Sequence, residues 1–176
     1  MDFAVLGWPS DEPTLRLDHE QFSYAGKFVM SQTGKTVARD DDGSILAAVA
    51  FSPDRTDPDT LRLRYVTVRA DRRGEGIGPL LLRFTAERAF DRGYESVCIA
   101  VNNPFAYDAA YRAGFAFTGE STGLAELVCA YGADRGSDTY QAGLDRYRDR
   151  DLSAAERDFL AERENTAPPA VVDDPT

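Results

Sequence analysis

Apolar residues recur along this chain with two periods. Lys35–Arg39 and Ser44–Phe51 are apolar, strand-forming runs separated by Asp40-Asp41-Asp42-Gly43, a turn sequence, which predicts a β-hairpin. A polar loop with Pro53 and Pro58 leads to a long strand, Leu61–Val68. From Gly76 to Arg92 the period changes. Ile77, Leu80, Leu81 and Phe84 form a helical stripe, and Gly93 is a natural stop. Glu95–Val101 reads as a largely buried strand. Asn103-Pro104 opens a helix that ends at Gly114, since Asn suits the cap and Pro the first turn. Strands are expected at Phe115–Thr118 and Leu124–Tyr131.

The two ends read less clearly. Thr14–Leu17 is a candidate short strand, and Glu20–Met30 fits either a helix or an irregular loop. Thr139–Arg150 and Ser153–Asn165 are charged and helix-prone, and Ser153-Ala154-Ala155-Glu156 is a capping-box pattern. The prolines and aspartates after Thr166 predict a disordered tail. The fold class is therefore mixed α/β (α+β), a mostly antiparallel sheet carrying helices. The expected organisation is a main domain over 1–131, a helical extension over 132–165 and a tail over 166–176.

Composition narrows the function. The chain has 176 residues and a formal net charge of −10, which argues against a general nucleic-acid binder. No apolar run approaches the roughly 18 residues of a membrane span, and the N-terminus lacks a basic leader, so a cytoplasmic protein is expected. Only Lys27 and Lys35 are lysines. An aspartate-rich, lysine-poor surface resembles proteins of salt-loaded cytoplasm. Cys98 and Cys129 lie in apolar runs without CxxC spacing, and His19 is the single histidine; a disulfide, a metal site and a histidine-based triad are all poorly supplied. The acidic turn lacks the ligand spacing of a calcium loop.

The chemistry concentrates in Arg73-Gly74-Glu75-Gly76-Ile77-Gly78, between a strand and a helix. That order exposes backbone N–H groups to an anion at the positive end of a helix. A dinucleotide fingerprint fails, because its third glycine falls on Pro79 and a frame from Gly76 fails as well. A Walker A loop ending at Gly34-Lys35-Thr36 fails because its first position is Val29.

The stretch resembles the Q/R-x-x-G-x-G/A signature of the GNAT family, acyl-coenzyme A-dependent N-acetyltransferases. Asn103, Ala106 and Gly114-Phe115 keep the spacing of that family's second motif. The resemblance is specific over about Leu61–Phe117. It implies that Val66 and Val68 bind the pantetheine arm through their backbones and that N–H groups across Arg73, Gly74, Gly76, Ile77 and Gly78 cradle the pyrophosphate of acetyl-CoA. Asn103 would hold the cofactor, cap its helix, or both. The implied activity is acetyl transfer to a primary amine on a small molecule or a protein, with no metal.

The family's acid, a tyrosine four residues before the glycine of G-F, falls on Ala110 here. Tyr111, one residue on, and Tyr107, on the same helix face, are the alternatives; either could instead pack the sheet. The strand carboxylate that many relatives use as a base is replaced by Arg62 and Arg64, read as edge residues or as an anion site. Glu126 is a candidate base, beside a water relay or an already neutral amine. Acceptor recognition is expected from Asp18–Gly34 and Gly119–Ala125, and the charged C-terminal helices could form a partner or homodimer surface. The rival reading is a non-catalytic CoA-binding module.

Overall fold

The computed structural model describes residues 1–123 and 125–175. Among them are seven strands and five α-helices, with antiparallel pairing throughout the ladders traced below. They fall into two compact units, Met1–Val97 with the last residues from Asp173, and Cys98–Val172. The boundary between Val97 and Cys98 lies inside a strand.

In the first unit β1 (Asp2–Gly7), β2 (Gly34–Arg39), β3 (Ile45–Pro53) and β4 (Thr60–Val68) pair in that order. The hairpin and the long strand lie where the alternation put them. β1 was not expected. Its run Phe3-Ala4-Val5-Leu6 does not alternate, and its partner is some thirty residues away. Thr14–Leu17 forms no strand; Leu15 and Leu17 instead pack on Phe28, Val37, Ala48 and Ala50.

Pairing fixes which side chains share a face. Val37, Ala48, Ala50, Tyr65 and Thr67 lie on one face, and the segment carrying the short helix α1 (Ala25–Phe28) covers it. Thr36, Val49, Val66 and Val68 lie on the other, against α2 (Ile77–Arg92). There Thr36 Oγ1 and Thr85 Oγ1 are 2.6 Å apart and Phe3 packs on Phe84. A bulge re-aims β4: Ala50 faces Tyr65 and Phe51 faces Leu63, leaving Arg64 unpaired.

In the second unit β5 (Ser96–Val101) and β6 (Phe115–Ser121) both pair with β7 (Leu127–Tyr131). The predicted start of the last strand, Leu124, lies outside the described residues. α3 (Pro104–Arg112), α4 (Ser137–Arg148) and α5 (Ala154–Glu162) complete the unit. The expected capping box at Ser153 and Glu156 is made. The segment expected to be a disordered tail is held by its backbone. The carbonyls of Thr166 and Pro169 accept from Gln141 and Arg135, and Val172 N–H donates to the Arg112 carbonyl.

No helix among the described residues is long and apolar enough to cross a membrane. Nor do His, Cys, Asp and Glu side chains there cluster as metal ligands do.

Candidate active site

β4 ends at Val68, a short 3-10 turn spans Ala70–Arg72, and α2 begins at Ile77. Gly74 and Gly76 have φ of 83° and 81°, left-handed conformations that admit glycine readily and strain other residues. Gly76 is the N-cap of α2, and no side chain caps the first turn. The sixteen-residue helix therefore presents its first N–H groups, and the positive end of its dipole, without a built-in acceptor. Gly78 lies against the sheet; a Cβ there would sit 3.4 Å from Val68 Cγ2. Such a backbone can receive an anion.

The neighbouring arginines are already engaged. Arg69 pairs with Asp71 at 2.6 Å, and Arg72 with Glu75 at 2.8 Å. The two carboxylates raise the arginines' pKa values through these hydrogen bonds. Arg73 donates to the Val68 carbonyl at 3.3 Å and to Ser23 Oγ at 3.2 Å. Much of the loop's positive charge is thus paired with its own carboxylates.

Arg62 and Arg64 are both held by neighbouring residues. Arg62 donates to Asp54 at 2.8 Å; Arg64 donates to Ser52 Oγ and to the Pro53 carbonyl. Arg62 ties β4 to the polar loop that precedes it, and Arg64 ties it to the end of β3. Asn103 Oδ1 accepts from Ala106 N–H at 2.8 Å, so it caps α3.

Tyr107 and Tyr111 are wholly buried, and Tyr140 and Tyr147 of α4 close over them. Tyr107 Oη donates to the Tyr140 carbonyl at 2.9 Å, and Tyr111 Oη accepts from Phe117 N–H at 3.0 Å. Burial pushes both phenols above their ordinary pKa. A proton donor to a departing thiolate must reach it. The acid role that the motif suggested for these residues requires a surface that neither hydroxyl has. Sequence spacing could not anticipate α4, which folds back from residue 137 to seal them.

Glu126 is partly exposed in the turn before β7, where its carboxylate accepts from Thr122 Oγ1 at 3.3 Å and its carbonyl from Thr122 N–H. Cys129 is buried and its thiol is pushed up to about 12 by desolvation; Cys98 is only partly buried. The two face opposite sides of the β5–β7 ladder, since Cys98 pairs with Ala130 and Cys129 with Ile99.

Two participants escaped sequence reasoning. Gln21 and Ser23 reach the approach to the glycine loop: Ala70 N–H donates to the Gln21 carbonyl at 2.9 Å, beside the Arg73–Ser23 bond. Neither belongs to a motif.

Solved structures share this chain path. An IAA acetyltransferase from Bacillus cereus ATCC 14579 is 19% identical, with 74% of this chain and 97% of that one covered and a TM-score of 0.52. Nourseothricin acetyltransferase is 24% identical (56% and 64% covered, TM-score 0.46). A phosphinothricin acetyltransferase from Sinorhizobium meliloti, in complex with AcCoA, is 18% identical (56% and 60% covered, TM-score 0.48). The present chain spans less than two thirds of the length of the last two. At such identities the likeness is one of fold. No functionally curated protein matches in sequence. Residues 3–115, which hold the glycine loop and the second motif, match the acetyltransferase (GNAT) family model. More than half of the chain is matched, and the protein belongs to the GNAT acetyltransferase family.

Proposed function

We propose that this protein transfers the acetyl group of acetyl-CoA to a primary amine. The observation that carries the reading is the uncapped N-terminus of α2 behind left-handed Gly74 and Gly76, placed directly after β4. In this reading the N–H groups of Arg73–Gly78 hold the pyrophosphate, and the backbones of Val66 and Val68 hold the pantetheine arm as an added strand would.

The amine must arrive unprotonated, because an alkylamine has a pKa near 10.4. Its nitrogen attacks the thioester carbonyl, the carbon–sulfur bond breaks, and coenzyme A leaves as thiol while the nitrogen loses a proton. Glu126 is the candidate that can accept that proton, directly or through water. Tyr107 and Tyr111 serve packing, and the leaving thiolate takes its proton from water. Asn103 caps α3.

A second reading, a non-catalytic CoA-binding module, is favoured by the sealed tyrosines and by the arginines that stand in place of a β4 carboxylate. One experiment separates the two. The protein is incubated with acetyl-CoA and a panel of small and peptide amines, with thiol release followed by colour and products by mass. Acetylated product with matching thiol supports the enzyme. Coenzyme A binding without thiol release for any acceptor supports the module.

A further inference from the structure

Lys35 is a wholly buried lysine on β2, a strand that is otherwise mostly apolar. Its Nζ donates to the carbonyls of Pro13 at 2.5 Å, Met30 at 2.5 Å and Thr33 at 2.8 Å, with Thr33 Oγ1 at 3.0 Å. Three carbonyls converging on one point match the three protons of an ammonium. A guanidinium spreads its donors over a planar fork and cannot converge in this way. Lys27 is the chain's one other lysine and its remaining Lys/Arg positions are all arginine, so the lysine here answers a geometric need.

The three carbonyls bracket a single segment. Pro13 begins it, Met30 and Thr33 end it, and Lys35 ties the two ends together. Between them Phe22 and Phe28 are buried, and Leu15 N–H donates to the Phe28 carbonyl. The crown of the segment meets the phosphate-binding approach through Gln21 with Ala70 and Ser23 with Arg73. The loop is therefore fixed at its base by one ammonium and at its crown by the residues that lead into Gly74.

We propose that Lys35 is a positioning residue for cosubstrate capture: by closing the base of segment 13–33 it holds Gln21 and Ser23 against Ala70 and Arg73, and so keeps the phosphate-binding backbone preformed. The inference rests on the acetyl-CoA reading above. Its consequence is that binding of coenzyme A, and not only folding, depends on a side chain that touches no ligand.

The test combines amide hydrogen exchange on the full chain with calorimetric binding of coenzyme A. In Lys35→Met, exchange over 13–33 and at Ala70 should quicken about tenfold or more while α2 and β3 keep their protection. Affinity for coenzyme A should fall on the order of tenfold, the cost of ordering the loop on binding. Lys35→Arg should not restore either readout. Thr33→Val removes one acceptor only and should give a smaller loss in the same segment; it carries the test if Lys35→Met fails to fold. Unchanged affinity with a loosened loop overturns the positioning role. Unchanged exchange, or exchange raised equally throughout the unit, overturns the anchoring. Wild-type protein that fails to bind coenzyme A overturns the cosubstrate reading and the positioning role with it, while the exchange data still judge the anchor.

Discussion

Tyr107→Phe distinguishes a catalytic phenol from a packing one. The substitution removes a single oxygen from a wholly buried ring and leaves its contacts with Tyr111, Tyr140 and Tyr147 in place. The lost bonds are a long one of 3.4 Å to Tyr111 Oη, which keeps Phe117 N–H as a partner, and one of 2.9 Å to the Tyr140 carbonyl. That carbonyl lies inside α4, where the helix supplies an i+4 N–H, so it is not stranded. The expected cost is about 1 kcal/mol, or a fall in melting temperature of about 2–4 °C for a chain of this size. Turnover should stay within about twofold of the parent, because removing a true general acid costs roughly a hundredfold or more. Tyr111→Phe should be the more destabilising of the two. Its oxygen accepts from Phe117 N–H, and its loss leaves a buried donor without that partner at a cost of about 1–3 kcal/mol. Urea melts of both variants, read beside steady-state rates on any accepted amine, decide the matter. A Tyr107→Phe enzyme of parental stability whose kcat has fallen a hundredfold would refute the packing assignment.

The remaining predictions address the loop, the helices and the thiols. Glu75→Gln frees Arg72 and removes a negative charge beside the phosphate backbone; coenzyme A should bind about two- to fivefold tighter at low salt, with the gain lost near 1 M where the Debye length is about 3 Å. Gly143→Ala drives a Cβ into the buried Tyr107 hydroxyl, so it should destabilise by about 1–3 kcal/mol in a urea melt despite alanine's better helix propensity. Gly26→Ala meets nothing within 4 Å and should stabilise by about 0.4–1 kcal/mol in the same assay. The Cys129 thiol is raised from 9.0 to about 12 in the fold. Its contribution to stability is thus complete below about 9 and is lost as pH rises toward about 12. Melts of Cys129→Ala should accordingly be less alkali-sensitive than those of the parent, and iodoacetamide should label native Cys98 first.

Local pattern determined the hairpin, the glycine loop, α2 and the Asn103 cap, because each rests on neighbours within a few residues. Alternation sets the faces of β2 and β3, Gly93 stops α2, and Asn103 reaches no further than Ala106. The same spacing identified the family, since two motifs at fixed separation survive where overall identity is low. Contacts between distant residues lay beyond that pattern. β1 exists because β2 offers it a ladder, and Leu15 and Leu17 need no ladder because the sheet face beneath them is apolar. Tyr111 looked like an acid one position out of place until α4 buried it. Arg62 and Arg64 alternated like a binding face until a bulge and Asp54 gave each its own partner. Lys35 looked like the ordinary start of a strand; only the fold brings three carbonyls to its ammonium. The sequence by itself determined which cofactor chemistry the loop suits, because backbone conformation and glycine spacing are local. Tertiary structure decided which side chains are sealed and which are reachable, because burial depends on segments remote in the chain.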